Sequence, residues 1–332
     1  MSESKDYGKA SGNLEPGGNV DHDRCGGWRR FSGGRFARVW MGRDGLRAGW
    51  AVLLFVMIMS ALLAGIAYAA HRLHHLPPMT GELQPSRMLI GELAMIFAAV
   101  VATKVMSLID KRSWRDYGLQ APQRASRVAH LAQGLFFGAA AMALLMGTLR
   151  ALHAVSIEPS GVALKPLLES AALWAVVFVL VGFSEETSFR GYVLFRLFRG
   201  VGPVAASLVT SAVFALVHLT NPGETAFGIV SVAATALVFC FAIWRTGALW
   251  WVIGFHAAWD WSQSFVFGIA DSGTLASGHW LTSRPGGPAW LSGGAAGPEG
   301  SVLMLPLLAI LVVLMVRTLP GGGGRRSVQA WR

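Results

Sequence analysis

Apolar residues gather into eight long stretches, at 48–70, 88–109, 131–152, 167–198, 203–219, 227–244, 249–267 and 302–316, separated by polar or Gly-rich segments. In each, apolar character runs around the whole helical circumference rather than along one stripe, as in a helix in lipid or in a bundle core. Crossing a bilayer as strands would require a closed barrel of short alternating segments, and nothing in these stretches alternates. The pattern predicts an all-α fold, a polytopic membrane helix bundle of about eight transmembrane helices occupying 48–319. Residues 1–47 are polar, Gly-rich and basic, and read as a flexible tail. They precede the first apolar run by too far to be a cleaved signal peptide. Residues 268–301 are rich in Gly, Ser and Pro and read as an extracytoplasmic loop without regular structure, and 320–332 as a C-terminal tail.

Composition sharpens this picture. Of 332 residues 53% are hydrophobic and 14% charged, where a soluble domain carries about 25% charged residues. A water-soluble core of this length could not hide so much apolar surface. The formal charge of +10 would suit nucleic acid, but its distribution indicates topology instead. Twenty-one Lys and Arg fall in the N-terminal tail, in the loops after the second, fourth and sixth stretches and in the C-terminal tail. Only Arg72, Arg87, Arg150, Lys165 and Arg284 fall on the opposite side, with Lys104 and Arg190 inside stretches. This asymmetry predicts both termini in the cytoplasm, a lipid bilayer as partner and no nucleic acid. Cys25 and Cys240 form no disulfide framework. Gly134 and Gly138 form a GxxxG beside a run of alanines, read as close packing within the bundle.

Ionisable side chains inside apolar spans are costly and usually face a cavity or a partner. Here they concentrate in three stretches: Glu185, Glu186 and Arg190 in the fourth, His218 in the fifth, His256 and Asp260 in the seventh. Glu186 and Arg190, and likewise His256 and Asp260, stand four apart and share a helix face. Glu185 and His218 lie sixteen to seventeen residues on either side of the turn at Val201–Gly202. Along straight helices both then sit roughly 25 Å from that turn, with His256 roughly 14 Å from its own cytoplasmic turn. These heights agree if the fourth and fifth helices project into the cytoplasm, which places the cluster in a cytoplasm-facing cavity.

Two imidazoles with one or two carboxylates make a zinc-type ligand set, with His218 and His256 as candidate metal ligands. A divalent metal, zinc by this reading, would lower the pKa of a bound water, and a glutamate would take its proton. Without metal, a glutamate beside histidine still activates water while His or Asp steadies an oxyanion. Ser184 and Ser188 remain as alternative nucleophiles. The sequence thus supports hydrolysis of a peptide or membrane-protein substrate. A transporter or proton-coupled carrier using the same cluster, or a non-catalytic membrane scaffold, are the competing classes. No repeat or paired half-helix interruption of the transporter kind is visible.

These residues resemble the three motifs of the CPBP (ABI) family of intramembrane proteases, which includes the type II CAAX prenyl endopeptidase. EExxxR reads Glu185 to Arg190, FxxxH reads Phe214 to His218, and HxxxD reads His256 to Asp260. The resemblance covers 167–267. It implies a membrane endopeptidase, metal-dependent or glutamate-dependent, in which Glu185 activates the attacking water. His218 and His256 would bind metal or water, Asp260 would complete the site, and Glu186 with Arg190 would orient and balance it. It also implies a multi-pass protein of the cell membrane, the bacterial inner or plasma membrane being the expected one. Elsewhere, His71, His74 and His75 read as interfacial residues, with Pro77-Pro78 ending their helix. Glu92 and Lys104 read as packing or cavity groups, and Trp259 and Trp261 as possible groove residues.

Overall fold

The computed structural model describes residues 37–42, 45–73, 83–121, 126–221 and 223–320. Most of both expected tails, His74, His75 and Pro77-Pro78 therefore lie outside the described residues. The chain divides into two units, Met1–Val39 and Trp40–Arg332. Of the first, only the start of a short helical turn, Ala37–Trp40, is described.

Each of the eight apolar stretches forms helix. They are α1 (Ala48–Arg72), α2 (Pro85–Ile109), α3 (Arg127–Ala151), α4 (Leu164–Glu185), which continues through a π-helical turn (Glu186–Gly191) into α5 (Tyr192–Val201), α6 (Pro203–His218), α7 (Ala226–Thr246), α8 (Trp250–Trp261), extended by a second π turn (Ser262–Val266), and α9 (Met304–Thr318). Local chemistry sets the boundaries. Pro85 and Pro203 occupy first-turn positions, where the missing N–H is no loss. Ser126 and Thr225 cap α3 and α7 by accepting from Ala129 N–H at 3.0 Å and Gly228 N–H at 2.9 Å. Gly247 closes α7 in the left-handed conformation, φ 71°.

Among the described residues five helical segments are long and apolar enough to cross a membrane: Ala48–Arg72, Pro85–Ile109, Arg127–Ala151, Leu164–Val201, which includes the π turn, and Ala226–Thr246. Leu53, Val56 and Met57 on α1, Phe97 on α2, Phe136 on α3, Val176 on α4 and Leu208 on α6 are exposed. Such an outward apolar surface fits lipid rather than water. The molecule is a helical membrane bundle of several spans.

At the centre lies α8, packed against α3 and α4. The α3–α8 crossing is a backbone-to-backbone contact made by glycine. A Cβ on Gly134 would come 2.0 Å from Trp251 O, one on Gly138 2.3 Å from Phe255 O, and one on Gly254 2.2 Å from Leu131 O. The GxxxG is thus spent on packing inside the bundle, and it presses α3 against the helix that carries His256.

Two features depart from the sequence reading. The segment 268–301, expected to lack regular structure, is an ordered cap. Its strand β2 (Leu281–Pro285) pairs antiparallel with β1 (Val155–Pro159), Ile157 opposite Ser283. Its glycines are turn residues: Gly268, Gly293 and Gly297 have φ of 53°, 85° and 100°, and a Cβ on Gly297 would lie 2.0 Å from Ala270 O. Gly-rich composition here reflects tight turns rather than missing structure. Side chains anchor the cap: Trp174 Nε1 donates to Ser277 O at 2.9 Å and Gln263 Nε2 to Ala270 O at 2.8 Å. The fourth stretch, read as one straight rod, is interrupted. Gly191 has ψ −114°, far from helical, so α5 is a separate amphipathic segment and heights counted straight from Val201 do not apply.

Candidate active site

Helices α4, α6, α7 and α8, together with the cap, enclose a cavity of about 300 Å³. Glu185, Arg190, His218, His256 and Asp260 all line it. Glu186 does not. Glu185 ends α4 and Glu186 opens the π turn; neighbouring side chains on a helix diverge by about 100°. One carboxylate consequently faces the cavity, its side chain 25% exposed, and the next is fully enclosed at 0%.

The enclosed carboxylate is the hub. Glu186 Oε1 accepts from Arg190 Nη1 at 2.5 Å and lies 2.9 Å from His256 Nδ1. The other ring nitrogen, Nε2, faces two more carboxylates, Asp260 Oδ2 at 3.5 Å and Glu185 Oε2 at 3.7 Å. Arg190 is sandwiched between aromatic rings, its Cζ 4.4 Å from the Phe214 centroid and 5.2 Å from that of Phe239. The F of FxxxH thereby touches the R of EExxxR. Phe214 also holds the histidine one turn on: its carbonyl lies 2.8 Å from His218 Nδ1 and its ring 4.6 Å from the imidazole. With Nδ1–H donating to that carbonyl, the lone pair of His218 is on Nε2.

Five of the six candidate residues are thus joined by direct contacts, while His218 meets them across the shared cavity. Neither Ser184 nor Ser188 lines it. Ser184 is buried and donates to Glu92, which ties α2 to α4 and accounts for the carboxylate inside α2. Trp261 donates to Ala171 O at 3.1 Å and packs against Phe265, away from the cluster. Trp259 lines the cavity.

Sequence reasoning missed Asp271 and Glu299, both in the cap and both lining the cavity. Asp271 accepts from Ser264 Oγ at 3.0 Å, and Glu299 accepts from Trp259 Nε1 at 2.9 Å. Burial, with Glu299 adding to it, pushes the Asp271 carboxyl up to about 8. Burial likewise raises Glu299. Neither has a partner at helical spacing in the sequence, so no local pattern marks them.

A metal held by His218 and His256 needs a lone pair from each imidazole and at least one further ligand. Among the described residues no three His, Cys, Asp or Glu side chains are grouped to hold an ion. Nδ1 of His256 is held by Glu186, while Nε2 lies 3.5 Å from Asp260 and 3.7 Å from Glu185. As placed, these side chains do not form a closed zinc ligand set.

The cavity was expected to face the cytoplasm. The loop residues lining it, among them Asn221, Asp271 and Glu299, belong to the end of the bundle remote from the basic loops.

No curated protein matches this chain. The segment 167–262, which holds all six candidate residues, does match a family model, that of the type II CAAX prenyl endopeptidase Rce1-like proteins, and over this segment the chain is similar to those membrane proteases.

Proposed function

We propose that the protein is an intramembrane endopeptidase that hydrolyses a peptide bond with water activated by Glu185. The observation that carries this reading is the unequal pair of glutamates: Glu185 reaches the cavity and approaches His256 Nε2, whereas Glu186 is enclosed on the Nδ1 side. Glu185 takes a proton as water adds to the scissile carbonyl, and returns it to the amine nitrogen as the C–N bond breaks. His256, anchored by Glu186 through Nδ1, presents Nε2–H to the oxygen that becomes negative. His218 holds the water through its Nε2 lone pair. Arg190 neutralises Glu186, and Asp260 keeps His256 facing the cavity. Glu186, Arg190 and Asp260 are positioning residues in this scheme. The match of 167–262 to the CAAX endopeptidase family model supports the same reading.

The test compares membrane and secreted peptides of cells producing the wild-type chain or Glu185→Gln, followed by cleavage of the differing peptide by purified protein. Cleavage should fall at least about 10³-fold in Glu185→Gln with thermal stability unchanged. Wild-type turnover in that variant would remove Glu185 from the mechanism and overturn the reading.

A further inference from the structure

The two ends of the bundle differ in charge. One end carries Arg47, the group Lys111, Arg112 and Arg115, and Arg245 and Arg317. Contacts knit its segments into one surface. Arg196 donates to Leu46 O and lies 3.6 Å from Asp110, Gln120 Nε2 donates to Gly247 O at 2.7 Å, and Arg245 donates to Leu319 O at 2.7 Å. At the other end the β1–β2 pair, the 219–225 loop and the cap meet. There Leu83 N–H donates to Leu275 O at 2.9 Å, and a Cβ on Gly223 would lie 2.9 Å from the Ala295 side chain. Acidic Glu158, Glu169 and Glu224 there offset the few basic residues. Basic loops remain on the cytoplasmic side of a membrane, where anionic lipid also attracts them.

The cavity belongs to the second end. Its loop lining is Leu83, Asn221, Asp271, Ser272, Thr274 and Glu299, and among the described residues none comes from the basic loops. A tight turn forms part of this lining: Asp271 and Thr274 exchange backbone hydrogen bonds of 2.8 and 2.9 Å around Ser272 and Gly273, both at positive φ. We propose that the cavity opens to the extracytoplasmic side, and that its substrates are peptide segments displayed at the outer face of the membrane rather than cytoplasmic C-terminal tails. The substrate class rests on the peptidase reading above; the side of opening does not.

Sidedness is read without turnover. In a full-length Cys25→Ser background, leaving only buried Cys240, a cysteine is placed at Ser272 or at Arg115, neither of which belongs to the catalytic group. Right-side-out spheroplasts are treated with a membrane-impermeant maleimide, and detergent-solubilised protein serves as the measure of full reactivity. Ser272→Cys should label in intact spheroplasts to most of its level in detergent, and Arg115→Cys at least about tenfold less. Labelling of Arg115→Cys but not Ser272→Cys, or Ser272→Cys labelling only after solubilisation, would overturn the proposal. Outer labelling of Ser272→Cys together with identical membrane and secreted peptides from wild-type and Glu185→Gln cells, and no cleavage by purified protein, would sink the peptidase reading while leaving the sidedness standing.

Discussion

Replacing Gly138 with alanine tests whether the α3–α8 crossing sets the position of His256. The added Cβ would lie 2.3 Å from Phe255 O, where ordinary contact begins at 3.4 Å. The obstacle is backbone, so no side chain can swing aside and the helices must part by about 1 Å. Phe255 directly precedes His256. A shift of that size stretches the 2.9 Å contact from Nδ1 to Glu186 beyond hydrogen-bond reach, and also moves Nε2 relative to Glu185. A misplacement of about 1 Å lowers turnover on the order of 10²-fold, and forcing the extra carbon in costs about 1–3 kcal/mol of stability. Gly147, on the same helix, has nothing within 4 Å of its would-be Cβ. Gly147→Ala should keep full activity and gain about 0.5–1 kcal/mol from helix propensity. The assay is kcat and KM for the cleaved peptide, alongside thermal unfolding in detergent. A folded Gly138→Ala protein with wild-type kcat would show that the crossing does not govern the histidine.

Three further outcomes follow from the same geometry. Glu186→Gln should destabilise by about 3–5 kcal/mol because Arg190 is left as a buried unpaired charge; the double variant Glu186→Gln with Arg190→Met should recover much of this in a thermal melt, and a double variant worse than the single would refute the pairing. Asp271 has its carboxyl raised from the ordinary 3.8 to about 8, so the folded state holds a proton that the unfolded chain has lost between those limits. Its contribution is complete below pH of about 4 and falls by up to about 1.4 kcal/mol per pH unit until about pH 8; Asp271→Asn should flatten melting temperature against pH over that window, and an unaltered slope would exclude Asp271 as its source. Chelation should leave cleavage intact; chelator-sensitive activity restored by zinc, with one zinc per chain by elemental analysis, would reinstate a metal mechanism.

Helix positions were legible because lipid demands continuous apolar length, and that demand is written into local sequence. All eight stretches carry helix within a few residues of the expected limits. The contacts of Glu186 with Arg190 and of His256 with Asp260 were legible for a similar reason, since i,i+4 spacing brings them onto one face. Contacts between helices followed less directly. Straight-rod arithmetic takes no account of a helix break, and the break at Gly191 depends on one ψ angle. The cap at 268–301 was opaque because its order comes from tertiary anchors, such as Trp259 to Glu299 and Trp174 to Ser277. Its glycines signal turns, but a turn-rich segment looks the same whether or not something holds it. Asp271 and Glu299 were invisible for that reason too.

Adjacent glutamates give one helix two separate functions. A single carboxylate cannot both neutralise a buried guanidinium and stay available as a base, because the ion pair that fixes it also occupies its oxygens. With two in succession, the turn of the helix separates the tasks. Glu186 is committed inward to Arg190 and His256 Nδ1, and Glu185 is left at the cavity wall facing the opposite nitrogen of the same ring. The imidazole is thereby gripped from one side and presented from the other. With Gln at 185 and a carboxylate at position 187, Glu186 keeps Arg190 as its partner but the cavity is left without a base. A Glu185→Gln, Thr187→Glu variant should therefore stay inactive although it restores the number of carboxylates, and recovery of cleavage there would show that charge count, not direction, is what the site requires.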